Sequence, residues 1–343
     1  VRKLLNTLYV VTPESYLGRE GENVVVSVRD TEKARVPVHN LEGIVCFGYY
    51  GASPEVLRLC TENGVGLSFM TPTGRFLARV QGRFRGNVLL RREQYRMADD
   101  EGRSLPIARS FITGKVVNCM TVLRRGIRDH DGAVDCAGLR SADRWLAGAL
   151  EAIGECTDLG ALRGVEGTCA KCYFGAFDDL ILQQKEVFFL RDRNRRPPLD
   201  PMNAMLSFFY TLLAHDVESA LESVGLDPYV GFFHTDRPGR PSLALDLMEE
   251  LRPYLADRLA LSLVNLRQVN ARDFALKENG SVLLNEKGRK EVLGAWQKRK
   301  REEIMHPYLR EKIPIGLLPY VQALLLARFV RGDLDGYPPY FMN

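Results

Sequence analysis

The feature that most constrains the fold is a change of period near residue 88. Before it, apolar residues come in short stretches at 4–11, 23–28, 35–39 and 43–47, rich in Val and Ile and divided by Gly, Asp or Asn. Short runs between turn-forming residues are the pattern of strands. One helix is predicted among them, at 54–61: Ser53 stands where a cap is needed, and Pro54 at a first helical position where its missing N–H is no loss. Strands resume at 66–70 and 76–80 around Pro72-Thr73-Gly74. After residue 88 the spacing is helical over long segments: 88–97, 106–128, 142–153, 162–184, 203–224, 243–250, 253–266, 286–301 and 316–331. Pro197, Pro198, Gly225 and Pro228 punctuate them. The expected class is α+β. A small N-terminal β domain, β-sandwich-like with one helix, covers 1–88, and a larger all-α C-terminal domain covers 89–343. The charged, proline-rich stretch 191–201, RDRNRRPPLDP, is expected to be a flexible loop.

Charge and cysteine usage narrow the setting. With 47 basic and 43 acidic residues the net charge is only +4, so any polyanion-binding surface must come from local clustering. Seven scattered cysteines in 343 residues do not form a disulfide framework and point to a reducing, cytoplasmic compartment. After Arg2 and Lys3 the apolar run breaks at Asn6 and Thr7, which does not suit a secretory leader, and Val1 fits a non-ATG start codon translated literally. Residues 313–330 contain Pro314, Pro319, Gln322 and Arg328 and are expected to form a buried helix, not a membrane span.

Four side chains invite a chemical reading. Glu166 stands in LRGVEG between Gly164 and Gly167; two glycines in a helix cost about 1 kcal/mol each against alanine, which suggests close approach by another backbone or a phosphate. A surface glutamate beside a crossing helix would look the same. His234 ends the apolar run Val230-Gly231-Phe232-Phe233, a place that suits a ligand or a core histidine. Asp246 and Glu249, three apart, share a helical face and would repel without a cation, although acidic pairs are also common on solvated faces. Cys169 and Cys172 form a C-x-x-C with no second pair to complete a zinc site, and are taken as packing thiols.

The segments LRGVEG, NA-x-L-x-x-x-Y from Asn203 to Tyr210, GLDPYVGFFH and LDLMEELRP resemble, in this order, the CRISPR adaptation integrase family, the endonucleases that insert new spacers. The opening LLNTLYV and the stretch GRFRGNVLLRREQY are most similar to subtype I-C members. The resemblance implies the same two-domain plan, with Glu166, His234 and Glu249 (249 − 234 = 15) as metal ligands and catalytic residues and Asp246 as a further candidate ligand. Carboxylates with one imidazole suit Mg²⁺ or Mn²⁺. The implied reaction joins the 3′-hydroxyl of captured double-stranded DNA to CRISPR repeat DNA by transesterification. The implied partners are a second copy of the chain, a small second adaptation subunit and an exonuclease of the Cas type; no membrane is involved. A general metal-dependent nuclease acting on branched DNA, or a catalytically idle DNA-binding scaffold, are the alternatives.

Candidate phosphate contacts are Arg163, one helical turn before Glu166, and Arg237 and Arg240 after His234. Larger basic clusters are Arg191, Arg193, Arg195 and Arg196; Lys287, Arg289 and Lys290 with 298–301; and Arg83, Arg85, Arg91 and Arg92. Tyr9 and Tyr16 are candidates for base stacking or for the core.

Overall fold

The structure, a computed structural model, describes residues 6–47, 51–71, 76–80, 82, 88–130, 135–195 and 197–342. The predicted Pro72-Thr73-Gly74 turn and the basic residues Arg83, Arg85 and Arg196 lie outside them. Strands β1 (Asn6–Val10), β2 (Ser15–Glu20), β3 (Asn23–Val28), β4 (Thr31–Pro37), β5 (Leu41–Phe47) and β6 (Gly51–Ala52) precede helix α1 (Pro54–Glu62) and strands β7 (Gly66–Met70) and β8 (Phe76–Val80). Then come α2 (Val88–Ala98), α3 (Glu101–His130), α4 (Ala137–Glu155), α5 (Leu159–Ala176), α6 (Pro201–Val224), α7 (Ser242–Met248), α8 (Arg258–Asn265), α9 (Glu286–Arg301) and α10 (Leu318–Val330). The expected order of a strand-rich segment followed by helices holds, but the part after residue 88 is not all-α: two short two-stranded sheets, Phe274–Leu276 with Val282–Leu284 and Glu303–Met305 with Lys312–Pro314, interrupt the helices.

The chain divides into two compact units, Val1–Arg85 with Leu284–Arg301, and Gly86–Leu283 with Glu302–Asn343. The first holds two four-stranded sheets, ordered β4-β3-β2-β6 and β1-β5-β7-β8. In one, β2, β3 and β4 run antiparallel; Arg29 and Asp30, both at positive φ, make the two-residue β3–β4 turn whose twist suits a hairpin. In the other, β1, β5 and β7 are parallel, and central β5 is accordingly apolar almost throughout. Leu17, Val24 and Val26 from one sheet, Val10, Ile44 and Leu67 from the other, and Val56 and Leu59 from α1 close a single core. Ser53 caps α1 as expected, accepting from the Val56 N–H at 3.2 Å.

The helix α9 departs from the predicted division at residue 88, because it packs with the strands. Trp296 is buried, the Gln297 side chain donates to the Thr7 carbonyl at 2.9 Å, and Lys300 pairs with Glu42 at 3.2 Å.

The second unit is built on α3, whose 30 residues span about 45 Å and pack against α2, α4, α5 and α7. Aspartates start α5 and α6: Asp158 accepts from the Ala161 N–H at the head of α5, and Asp200 from the Asn203 N–H at the head of α6, each at 2.8 Å. α6 ends at Gly225, whose φ of 91° suits only glycine well. The stretch 191–201, expected to be a flexible loop, is anchored through Arg193. Arg193 lies against the Tyr210 ring and donates to Asn203 and Ser207, at 2.6 and 3.2 Å, which ties the loop to α6. Behind α7 the chain's last residues are fastened inward. Asn118 of α3 donates to the carbonyls of Glu250 and Tyr340, at 2.7 and 2.8 Å, and accepts from the Met342 N–H at 2.8 Å. No described helix is long and apolar enough to cross a membrane.

Candidate active site

Three elements of the second unit supply the site. α5 carries Glu166, α7 carries Asp246 and is followed directly by Glu249, and the segment between α6 and α7 carries His234. That segment has no helix or strand ladder, so its amides need other partners. Asp246, fully buried, provides them. Its Oδ2 accepts from the N–H groups of Phe232 and Phe233, at 2.7 and 2.9 Å, and its Oδ1 from that of His234 at 2.9 Å. The same Oδ1 lies 2.6 Å from His234 Nδ1. A carboxylate is an acceptor, so the imidazole proton sits on Nδ1 and the Nε2 lone pair is left for a ligand. Asp246 is thus the holder of His234. Both its oxygens are committed to those four donors, which sets Asp246 apart from the candidate ligands Glu166, His234 and Glu249.

Gly231 makes this approach possible: a Cβ there would fall 2.7 Å from Asp246 Oδ2 and 2.9 Å from Ser242 Cβ. Arg163, expected to face a phosphate, spends its Nε and Nη2 on the Phe233 carbonyl, at 3.1 and 2.9 Å, and so clamps the other side of the His234 segment.

Glu166 and Glu249 meet at a cation. The ammonium of Lys115, from the middle of α3, donates to Glu166 Oε1 and lies 2.7 Å from Glu249 Oε2. Arg252 holds the other oxygen of Glu249 at 2.8 Å, and its guanidinium lies over the Tyr210 ring at 4.9 Å. Glu249 Oε2 is buried without a hydrogen-bond partner, so Lys115 meets it as a point charge and not through a well-directed hydrogen bond. Burial alone would raise the Glu249 pKa; the charges of Arg252 and Lys115 outweigh it and bring it down to about 2. Burial would equally lower that of Lys115, but Glu249 and Glu166 hold it above the usual lysine range. Among the described residues no three His, Cys, Asp or Glu side chains form a ready-made metal cage. The donor set nevertheless fits a divalent cation. Two carboxylates already converge on one positive charge, one of their oxygens has no hydrogen bond, and an imidazole stands fixed within electrostatic reach of Glu249.

Lys115 and Arg252 were not read from the sequence as site residues. Arg252 was signalled by its place three after Glu249, and Lys115 by being the one charge in the apolar run FITGKVVNCM. Around Gly164 and Gly167 a Cβ would meet nothing within 4 Å, so no backbone among the described residues explains them. Arg237 is exposed in a tight turn in which the Arg240 N–H donates to its carbonyl at 3.0 Å. On α9, Lys287 is exposed and Lys290 pairs with Glu286 at 3.1 Å. Arg289 is buried, which removes it from the expected DNA contacts. Cys169 and Cys172 are free thiols, with burial raising both pKa values. Tyr16 is exposed, whereas Tyr9 packs on Phe47 with ring centroids 6.4 Å apart.

Residues 8–298 match the family model of the CRISPR associated protein Cas1. The chain belongs to the Cas1 family. It is 50% identical over 340 residues to CRISPR-associated endonuclease Cas1 1 of Chlorobaculum tepidum, with 99% of both chains covered. To CRISPR-associated endonuclease Cas1 2 of Rhodospirillum rubrum it is 51% identical over 345 residues, again over 99% of each. Membership bears out the family resemblance of LRGVEG, GLDPYVGFFH and LDLMEELRP, and makes the chain an enzyme of the nuclease and integrase type. The fold agrees with a Cas1 protein from Thermotoga maritima (TM-score 0.81, 22% identity, 97% of this chain and 99% of that one). It also agrees with a casposase bound to integration product (TM-score 0.85, 21% identity, 99% and 95%).

Proposed function

We propose that this Cas1-family chain joins the 3′-hydroxyl of captured double-stranded DNA to CRISPR repeat DNA, with Glu166, His234 and Glu249 holding Mg²⁺ or Mn²⁺. The observation that carries the reading is the convergence of Glu166 and Glu249, from separate elements, on one cation position within electrostatic reach of an oriented imidazole. A divalent cation bound there would supply charge stabilisation to a phosphate in the displacement. The chain's own residues prepare for it. Asp246 presents His234 through Nε2, Arg252 keeps Glu249 ionised and aimed, and Arg163 braces the segment between them. In the reaction the 3′-oxygen forms a bond to phosphorus, the repeat's own ester bond to that phosphorus breaks, and the proton passes from the attacking to the leaving hydroxyl by way of solvent. One phosphodiester replaces another, so no nucleotide energy source is required.

The open space at Gly164 and Gly167 supports entry of the DNA backbone on the Glu166 side, with Arg237 and Arg240 as phosphate contacts. Insertion into both repeat strands calls for two sites, hence a homodimer acting with the small second adaptation subunit. Solved relatives of this fold include a Cas6-RT-Cas1–Cas2 complex, and a Rhodospirillum rubrum protein 34% identical to this chain is a fusion of Cas4 exonuclease with Cas1. Both support these partners, and the stretches LLNTLYV and GRFRGNVLLRREQY support subtype I-C. The test is integration into a repeat-containing plasmid with and without the small subunit. Joined product that requires the subunit and a divalent cation is expected; cleavage of branched DNA alone, with no joining under any condition, would turn the reading to a general nuclease.

A further inference from the structure

Lys115 has no part in the transfer proposed above, yet its ammonium sits at the point on which Glu166 and Glu249 converge. We propose that Lys115 is an internal counter-cation, competing with the divalent metal for Glu166 and Glu249 and leaving them when the metal binds; the proposal rests on the metal-site reading above.

Position comes first. The ammonium and a metal would use the same two oxygens, Glu166 Oε1 and Glu249 Oε2, so they exclude each other. Burial explains why a counter-cation is there. The side chains of Glu249 and Lys115 are 3% and 9% exposed, and a buried carboxylate pair without opposite charge is strongly destabilising. Arg252 answers only one oxygen of Glu249. The choice of side chain matters too. Lysine is a compact charge on a flexible stem, able to swing away, whereas Arg252 is fixed by the Tyr210 ring beneath it. The way out lies towards Glu166, which is 21% exposed and flanked by the open space at Gly164 and Gly167.

Charge counting gives the consequence. Glu166, Glu249 and the Asp246 that holds His234 against Lys115 and Arg252 sum to −1. A divalent cation added beside Lys115 would bring the cluster to about +1; exchanged for it, to about zero. Exchange is therefore favoured over addition, and metal uptake by the free protein is weakened by the lysine it must displace.

Mn²⁺ titrations of the wild type, Lys115→Met and Lys115→Arg, followed by calorimetry, test this. Lys115→Met is expected to melt lower than wild type without metal and to bind Mn²⁺ at least about tenfold more tightly, whereas Lys115→Arg, which keeps the charge on a less mobile head, is expected to bind it no more tightly than wild type. Equal or weaker Mn²⁺ affinity in Lys115→Met would overturn the proposal. Should Lys115→Met not fold, reductive methylation of the wild type read by peptide mass decides the matter. Lys115 should be protected without metal and become reactive with Mn²⁺; protection that persists with Mn²⁺ bound overturns it. Failure of the wild type to bind Mn²⁺ at all, or binding indifferent to His234→Ala, would remove the metal-site reading itself and this proposal with it.

Discussion

Gly231 shows how much of the site hangs on a single missing methyl group. Its hydrogen leaves room for Asp246 to reach three consecutive amides and the imidazole, and a Cβ would stand 2.7 Å from the carboxylate oxygen. Gly231→Ala should displace Asp246 and let His234 turn, costing about 1–3 kcal/mol of stability and roughly 10–100-fold in Mn²⁺ affinity. Thermal melts with Mn²⁺ titration would check both, and an alanine variant with normal metal binding would show that Asp246 is not what aims His234. Asp246→Asn should lower the melting point as well as activity, since an amide cannot accept from all four donors. Glu249→Gln should abolish metal binding and leave the His234 segment in place. At this scale the sequence was only partly legible. The spacing of Glu249 from His234 pointed to one carboxylate of the pair through family resemblance. Nothing local distinguished Asp246 as a holder, because a buried aspartate serving amides and one serving a metal look alike in a string. Lys115 was hidden for a related reason: its partners lie 51 and 134 positions away (166 − 115 and 249 − 115).

Among the elements, α3 and α7 are the pair whose registry sets the cation position, and the chain's last residues fasten them. Glu250, next to Glu249, accepts from Tyr337, Gln322 and the Tyr340 N–H at 2.6, 2.8 and 3.1 Å, while Asn118 ties α3 to the same strap. Burial pushes the Glu250 pKa up to about 8 against an ordinary 4.5, only partly countered by those bonds. The raised value means that the folded form holds its proton longer than the unfolded form. The Glu250 contribution is therefore full below pH 4.5 and is lost as pH rises through about 8. The melting point of the wild type should fall relative to Glu250→Gln across that window, by the equivalent of a few kcal/mol; parallel curves would contradict the shift. α5 offers the opposite case. Alanine at Gly164 or Gly167 meets nothing within 4 Å among the described residues, so each should stabilise the protein by up to about 1 kcal/mol. If DNA backbone lies against that face, strand transfer should drop nonetheless; full activity with the added stability would return both glycines to chance. The helices were legible from their period and α1 even from its cap. The parallel pairing of β1, β5 and β7 was not, since strand order depends on partners far apart in the chain. Nor was β2, in which Leu17 is the only large apolar side chain facing the core.

For the molecule as a whole, charge must be separated from net charge. A chain at +4 can hold DNA only by setting basic residues apart, and the structure removes several of the sequence's candidates. Arg289 is buried, Arg193 is bound to α6, and Lys300, in the middle of the most basic run, is buried against Glu42. Periodicity could have anticipated this: Arg289, Trp296 and Lys300 fall on the same face of α9, and Trp296 is its largest apolar residue. Lys298 and Arg301 are left exposed on that helix. The whole-run charge reversal that composition suggests would therefore confuse two effects. Reversing Lys300 alone should destabilise the first unit, because it sets a buried like-charge pair against Glu42. Reversing Lys298 and Arg301 together should leave the melting point nearly unchanged. If α9 lies along the duplex, that double variant should bind DNA more weakly and with a shallower salt dependence, by about 0.9 in the slope of log affinity against log salt for each phosphate that is no longer neutralised. Titrating one duplex at several salt concentrations measures it. A slope equal to that of the wild type would make the exposed face of α9 simply a solvated surface, and would move the electrostatic grip to the Arg237–Arg240 turn beside His234.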